Sequence, residues 1–158
     1  MLLTRAFYFY KTMKTTFYIL YILLSASGCS NNTNATVMET FIEPVLIAKG
    51  HLSANETFTK ENRVITDNED WQEITTAMQA INNDITFTET DIDFSDYIVI
   101  AVLDIKNSTT TIDITQVKEN EDAVVITVEN LKRGITQDVA HPYHIIKIRK
   151  TGKPIIFE

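Results

Sequence analysis

Short hydrophobic runs along the chain predict a series of β-strands. Residues 97–103 form a continuous apolar run of strand length, which is typical of a central strand covered on both faces. Residues 111–117 alternate between polar and apolar side chains, and residues 123–129 follow an acidic turn, so these two runs predict a hairpin. Four further runs predict the remaining strands, at residues 41–50, 63–66, 143–149 and 154–157.

Two details refine this strand pattern. Pro44 cannot donate a ladder hydrogen bond, which places the start of the first strand at a sheet edge or a bulge. The last two runs are separated only by residues 150–153, and we expect them to form a closing hairpin.

One segment shows helical rather than strand periodicity. Apolar residues recur at spacings of three, four and three, the mark of one buried helix face: Trp71, Ile74, Met78 and Ile81. The acidic stretch 67–70 suits a helix start, and the polar stretch 82–84 suits its end. The sequence therefore predicts an α+β, mostly β domain. About seven short, mainly antiparallel strands form a sandwich or partly rolled sheet, with one helix near residues 68–82.

The N-terminal residues have the pattern of a processing signal. Arg5, Lys11 and Lys14 precede an eight-residue apolar run at 17–24, which is shorter than the roughly 20 residues a membrane span needs. Small residues then lead to Cys29, an arrangement that resembles the lipobox of bacterial lipoproteins. We expect a signal peptide at 1–28, lipid attachment at Cys29, a polar tether at 29–40 and a β-rich domain at 41–158.

The alternative for Cys29 is a buried structural cysteine, a common state for a free thiol. The polar stretch of residues 30–36 offers no apolar surroundings to bury it, which favours lipid attachment. As the single cysteine of the chain, Cys29 also has no intramolecular disulfide partner.

Charge argues against nucleic acid as a partner. Three of the 14 basic residues and none of the 21 acidic residues precede Cys29, so 11 basic and 21 acidic side chains remain after it. The resulting charge of about −10 repels phosphate backbones, and there is no basic stripe to release counterions.

The sequence predicts no catalytic set, no metal site and no cofactor. His141 and His144 are three apart in a strand-like segment, so their side chains should point to opposite faces and cannot share a metal. An acidic group that includes Asp91, Asp93 and Asp96 fits a solvated turn better than a calcium loop, because it lacks the glycine and the terminal glutamate of such a loop. We therefore expect a protein that is not an enzyme.

Several motifs resemble the PrcB family, accessory lipoprotein subunits of a protease complex that are common in Bacteroidetes. The similarity covers residues 41–158, and it is carried by these segments: 64–66 with 71–73, 93–102, 112–117 and 141–148. The last block reads His-Pro-Tyr-His-Ile-Ile-Lys-Ile, where the family usually reads Gln-Pro-Tyr-His-Ile-Val-Lys-Ile. Such proteins carry a Gly-Gly-Tyr turn where this chain has residues 106–111, and that loop also resembles the binding loop of chagasin-type cysteine-protease inhibitors.

The resemblance implies a function in protein binding. We expect a non-enzymatic envelope lipoprotein that stabilises a partner protein, with an exported protease as the implied candidate; the alternative is a chagasin-like protease inhibitor. The expected partners are the membrane, through the lipid anchor, and a protein. Ser30 after Cys29, together with the absence of an acid-rich export tag, favours the outer membrane facing the periplasm. The candidate partner-binding residues are Lys106, Asn107, Ser108, Thr109, Thr110, His141, Pro142 and Tyr143.

Overall fold

A computed structural model describes residues 38–53, 59–107, 110–132 and 139–158, with only the backbone described for Asn107 and residues 130–132. All of these residues belong to one compact unit, Val37–Glu158. The predicted signal peptide, Cys29 and most of the predicted tether lie outside the described residues. Thr40, the last residue of the predicted tether, already belongs to the first strand.

Within the described residues the chain forms nine strands and one helix, α1. Their bounds in chain order are β1 Thr40–Phe41, β2 Val45–Leu52, β3 Glu61–Ile65, α1 Asn68–Ile81, β4 Tyr97–Leu103, β5 Lys106–Asn107, β6 Thr111–Glu119, β7 Val124–Lys132, β8 Val139–Arg149 and β9 Ile155–Phe157.

The strands form two four-stranded sheets. The antiparallel sheet has the order β2-β8-β4-β3, and the short β5 pairs with the beginning of β8. The mixed sheet has the order β1-β6-β7-β9, in which only the β7–β9 pair is parallel. The predicted mostly β, mainly antiparallel, sandwich-like fold with one helix is therefore confirmed.

Strand β4 contributes side chains to the hydrophobic clusters on both faces of the antiparallel sheet. Successive side chains of a strand point to opposite faces, and every second residue of β4, from Val99 to Leu103, packs in the cluster that contains the helix residues Trp71 and Met78. The alternate residues, Ile98 to Val102, pack against the mixed sheet. The antiparallel sheet is thus the middle layer, and the continuous apolar run of β4 is correctly predicted to be buried on both faces.

Helix α1 begins and ends where its sequence predicts. The carboxylate of Asp67 accepts a hydrogen bond from the backbone N–H of Asp70 at 3.0 Å, which caps the N-terminus. Trp71 is buried, and its indole N–H donates to the carbonyl of Thr90 at 2.9 Å. Trp71 therefore lies on the buried face of the helix, as its spacing predicts.

Two predictions about the strands are wrong. The closing hairpin does not form, because β8 lies in the antiparallel sheet whereas β9 crosses to the mixed sheet and pairs in parallel with β7. The first predicted strand, 41–50, is divided at residues 42–44 into β1 and β2, which belong to different sheets. Pro44 precedes β2, an edge strand with an irregular register between Leu46 and Ala48, as expected for proline.

The acidic stretch before β4 forms the predicted turn. The carboxylate of Asp93 accepts hydrogen bonds from the backbone N–H of Ser95, at 2.9 Å, and from the Ser95 hydroxyl. The hydrogen bonds from Ser95 lower the pKa of Asp93 below its usual range. These contacts are those of a turn at the protein surface.

Candidate partner-binding end

The predicted candidate residues meet at one end of the domain. Lys106 pairs with Ala140 and Asn107 pairs with Val139 in the β5–β8 ladder. The backbone N–H of Asp104 also donates to the carbonyl of Pro142 at 3.0 Å. This end, defined by residues 51–53, 104–107, 110 and 139–143, is called the loop end below; the opposite end, at residues 119–123 and 150–154, is called the turn end.

Not all candidate side chains reach the surface. His141, Pro142 and Tyr143 are buried, as is Thr110, and Lys106 is half-buried. Ser108 and Thr109 lie outside the described residues, as does the side chain of Asn107. The pattern of residues 141–143 therefore reflects packing beneath the loop end, while a role of the whole set in binding stays a prediction.

Two exposed aliphatic side chains lie at the loop end, Ile105 and Val139. Ile105 directly precedes β5, and Val139 begins β8 opposite Asn107, so both side chains lie at the same end of the domain. Ile105 is 41% exposed and Val139 is 49% exposed. Sequence reasoning missed both residues, because only the β5–β8 pairing brings them together.

A buried carboxylate organises the cations of this end. Asp104 is 8% exposed and forms ion pairs with Lys106 at 2.7 Å and with Lys60 at 3.3 Å. Burial alone would raise the pKa of Asp104, but the hydrogen bonds from Lys106 and the Ile105 N–H, with the charges of Lys106 and Lys60, lower it below its usual range. Asp104 therefore stays ionised and holds both ammonium groups at the loop end.

Histidines join the strands of the loop end. The Nε2 atom of His51 lies 3.1 Å from the carbonyl of Thr110, which connects β2 to the start of β6. The Nδ1 atom of His141 lies 3.3 Å from the carbonyl of Ser53. These contacts give both histidine rings a polar partner. Without such partners the polar ring atoms would destabilise the end of the sandwich.

His144 lies on the other face of β8, between the two sheets. Its Nδ1 atom lies 2.9 Å from the backbone N of Ile114 and 3.1 Å from a carboxylate oxygen of Asp113, which also forms an ion pair with Lys49. The prediction that His141 and His144 point to opposite faces is confirmed, because His141 contacts Ser53 whereas His144 reaches β6 of the mixed sheet.

The Nδ1 atom of His144 cannot serve both neighbours in one protonation state. It accepts from the Ile114 N–H only when it carries no proton, and it donates to Asp113 only when it does. Burial, followed by the positive charge of Lys49, lowers the pKa of His144 below 6.5, although Asp113 opposes this shift. The neutral ring that accepts from Ile114 is therefore the favoured form.

Within the described ranges, no group of three or more His, Cys, Asp or Glu residues is placed to hold a metal ion. Every buried side-chain nitrogen or oxygen atom in that part of the chain has a hydrogen-bond partner. No described helix has the length and apolar character needed to cross a bilayer.

Comparison with known proteins adds no relative. No protein-family model, curated protein or solved structure matches the chain. The similarity to the PrcB family therefore stays a prediction from the residues quoted above.

Proposed function

We propose that this chain is a non-enzymatic lipoprotein of the bacterial cell envelope that supports a partner protein through its loop end. The lipid is attached at Cys29, and the protein faces the periplasm from the outer membrane. The observation that carries the proposal is the pair of exposed aliphatic side chains at the loop end, Ile105 just before β5 and Val139 at the start of β8.

The chemistry of the loop end suits a protein surface. Exposed aliphatic side chains supply the apolar contact at the centre of an interface, and charges around them supply orientation. At the same end of the domain Asp104 forms ion pairs with Lys106 and Lys60, so less side-chain entropy is lost if these lysines contact a partner. Acidic side chains at the edge of the partner's contact surface would complement these lysines.

The course of the chain from the proposed lipid site also supports an interface at the loop end. Thr40 pairs with Glu119 and Phe41 pairs with Lys118, so the domain begins at the turn end. Strand β6 then runs from Glu119 back to Thr111 at the loop end, a nine-residue strand of about 30 Å. A domain tethered through residues 29–37 can therefore present its loop end away from the bilayer.

The proposal is tested by capture from detergent-solubilised membranes with the native lipidated protein as bait. A stoichiometric partner should be recovered with the wild-type protein and lost with Ile105→Asp or Val139→Asp. The matched control is Ile156→Asp, because Ile156 is 50% exposed but lies on β9, away from this surface. Equal recovery with all four baits, or no stoichiometric partner with any of them, would contradict the proposal.

A protease inhibitor is the second candidate, and the β5–β8 pairing favours it. Lys106 and Asn107, which begin the loop that resembles the chagasin-type binding loop, pair with Ala140 and Val139 of β8. Such an inhibitor should inhibit a papain-like or subtilisin-like protease at micromolar concentration or below. Absence of inhibition with both protease classes removes this candidate and leaves the supporting role intact.

A further inference from the structure

Exposed apolar residues are concentrated at the start of the domain. Four of the seven large apolar side chains that are exposed in the described part of the chain fall within residues 38–46. This set is called the apolar rim and consists of Met38, Phe41, Val45 and Leu46. Met38 is 80% exposed and Phe41 is 66% exposed, values that are unusual for side chains of their size.

The rim lies at the turn end of the domain. Phe41 pairs with Lys118 near the end of β6, and Val45 pairs with Lys147 near the end of β8. Val45 also lines a groove of about 790 Å³ at this end, together with Ile42 and Tyr97. The rim is therefore at the opposite end of the domain from Val139.

The charged side chains around the apolar rim do not indicate which ligand binds there. Most cations near it are already paired with carboxylates: Lys118 with Glu39, Lys147 with Glu89, and Lys153 with Glu119. Arg149 and Lys150 have no carboxylate partner among the described residues, but Glu43, Glu121 and Asp122 are also without a cationic partner there. The turn end thus carries no positive excess that would select an anionic ligand.

The connection to the predicted lipid site indicates the occupant. Met38 lies only nine positions after Cys29, and even a fully extended chain of that length spans about 30 Å. A lipid on Cys29 therefore keeps the rim within that distance of the bilayer surface. Such confinement raises the effective concentration of the rim at the membrane, so even a weak apolar contact can form.

We propose that the apolar rim inserts into the interfacial layer of the bilayer that holds the lipid anchor. This inference rests on the proposed attachment at Cys29. Phe41 and the aliphatic residues leave water for the boundary between headgroups and acyl chains, where binding grows with the apolar area buried. Because charge contributes little, the contact forms on neutral and on anionic lipids alike.

The test uses single-cysteine variants of the native lipidated protein, reconstituted into phosphatidylcholine vesicles with or without phosphatidylglycerol. Lipidation blocks the thiol of Cys29, so a fluorophore labels only the introduced cysteine. Val45→Cys and Val139→Cys are a matched pair, because both valines are 49% exposed but lie at opposite ends of the domain. Phe41→Cys provides a second position in the rim.

Labels at residues 41 and 45 should lose fluorescence when the vesicles contain lipids with a quencher at the level of the headgroups, whereas the label at 139 should not. The loss should be equal in both lipid compositions. No loss at 41 and 45 in protein that floats with the vesicles overturns the rim contact alone. Labelling of wild-type protein that does not float overturns the anchor and the inference with it.

A second copy of the chain is the competing occupant of the rim. Self-association would change the fluorescence at residues 41 and 45 in detergent as the protein concentration increases, without any vesicle. That result would overturn the membrane contact, and a signal that is independent of concentration supports it.

Discussion

A methyl group added to Gly50 would stand 2.9 Å from the phenolic oxygen of Tyr143 and 3.2 Å from the ring carbon that carries it. Gly50 in β2 pairs directly with Tyr143 in β8, so the aromatic ring lies across the glycine. Tyr143 is 6% exposed and packs with Leu52 and Leu103. The absence of a side chain at position 50 makes room for a ring that closes the helix-side core.

Gly50→Ala should lower the free energy of unfolding. The ring of Tyr143 is enclosed and cannot move aside freely, so overpacking of about 1–3 kcal/mol outweighs the better strand propensity of alanine. Urea denaturation followed by the fluorescence of Trp71, the single tryptophan, measures the change.

Gly152→Ala is the matched control, because a methyl group at Gly152 meets no atom within 4 Å. Its unfolding free energy should stay within about 0.5 kcal/mol of the wild-type value. Tyr143→Phe removes the closest contact and should recover part of the loss caused by Gly50→Ala. Equal stability of the two alanine variants would show that the ring does not restrict position 50.

The N-cap of α1 makes a second prediction. Asp67→Ala removes the acceptor for the Asp70 N–H and should cost about 1 kcal/mol of stability. Asp67→Asn retains an acceptor at the same place and should cost much less. The same denaturation experiment compares the two, and similar losses would mean that the hydrogen bond contributes little.

Local features of this fold could be predicted from the sequence because they depend on periodicity alone. The spacing from Trp71 to Ile81 defines a helix face, and the apolar run of β4 has the right length for a strand buried on both faces. The pairing of β9 could not be predicted in this way. A short turn after Arg149 is compatible with a hairpin, and only competition between the two sheets for Ile155–Phe157 decides the partner.

The exposed residues of the candidate site could not be predicted from periodicity either. Residues 141–143 stand out in the sequence, but β8 is the second strand of its sheet and is covered on both sides, so their side chains are buried. Ile105 and Val139 do not stand out, since each is a single large aliphatic residue that follows an aspartate and belongs to no apolar run. They lie at the same end of the domain only because β5 pairs with β8, where Lys106 and its partner Ala140 are 34 positions apart.

The environment of His144 predicts a loss of stability in acid. Because burial lowers the pKa of His144 below 6.5 in the folded protein, the unfolded chain takes up a proton first as the pH falls. The stabilising contribution is complete above about pH 6.5 and is lost as the pH falls through the folded pKa. Urea midpoints at about pH 8 and about pH 5 should therefore differ, with the lower value in acid.

His144→Asn should flatten this pH dependence, because asparagine cannot gain a proton but can still accept from the Ile114 N–H. His51→Asn is the control, since His51 lies at the surface, where its ring contacts the carbonyl of Thr110. That variant should keep the difference between the two midpoints. If His144→Asn keeps it as well, the buried imidazole is not its source.

Lipid attachment is the claim on which the orientation of the domain depends, and mass spectrometry of the N-terminal peptide of the native protein tests it most directly. We expect a chain that begins at Cys29 and carries a diacylglyceryl group on its sulfur. A chain that retains residues 1–28 with an unmodified thiol at Cys29 would contradict it.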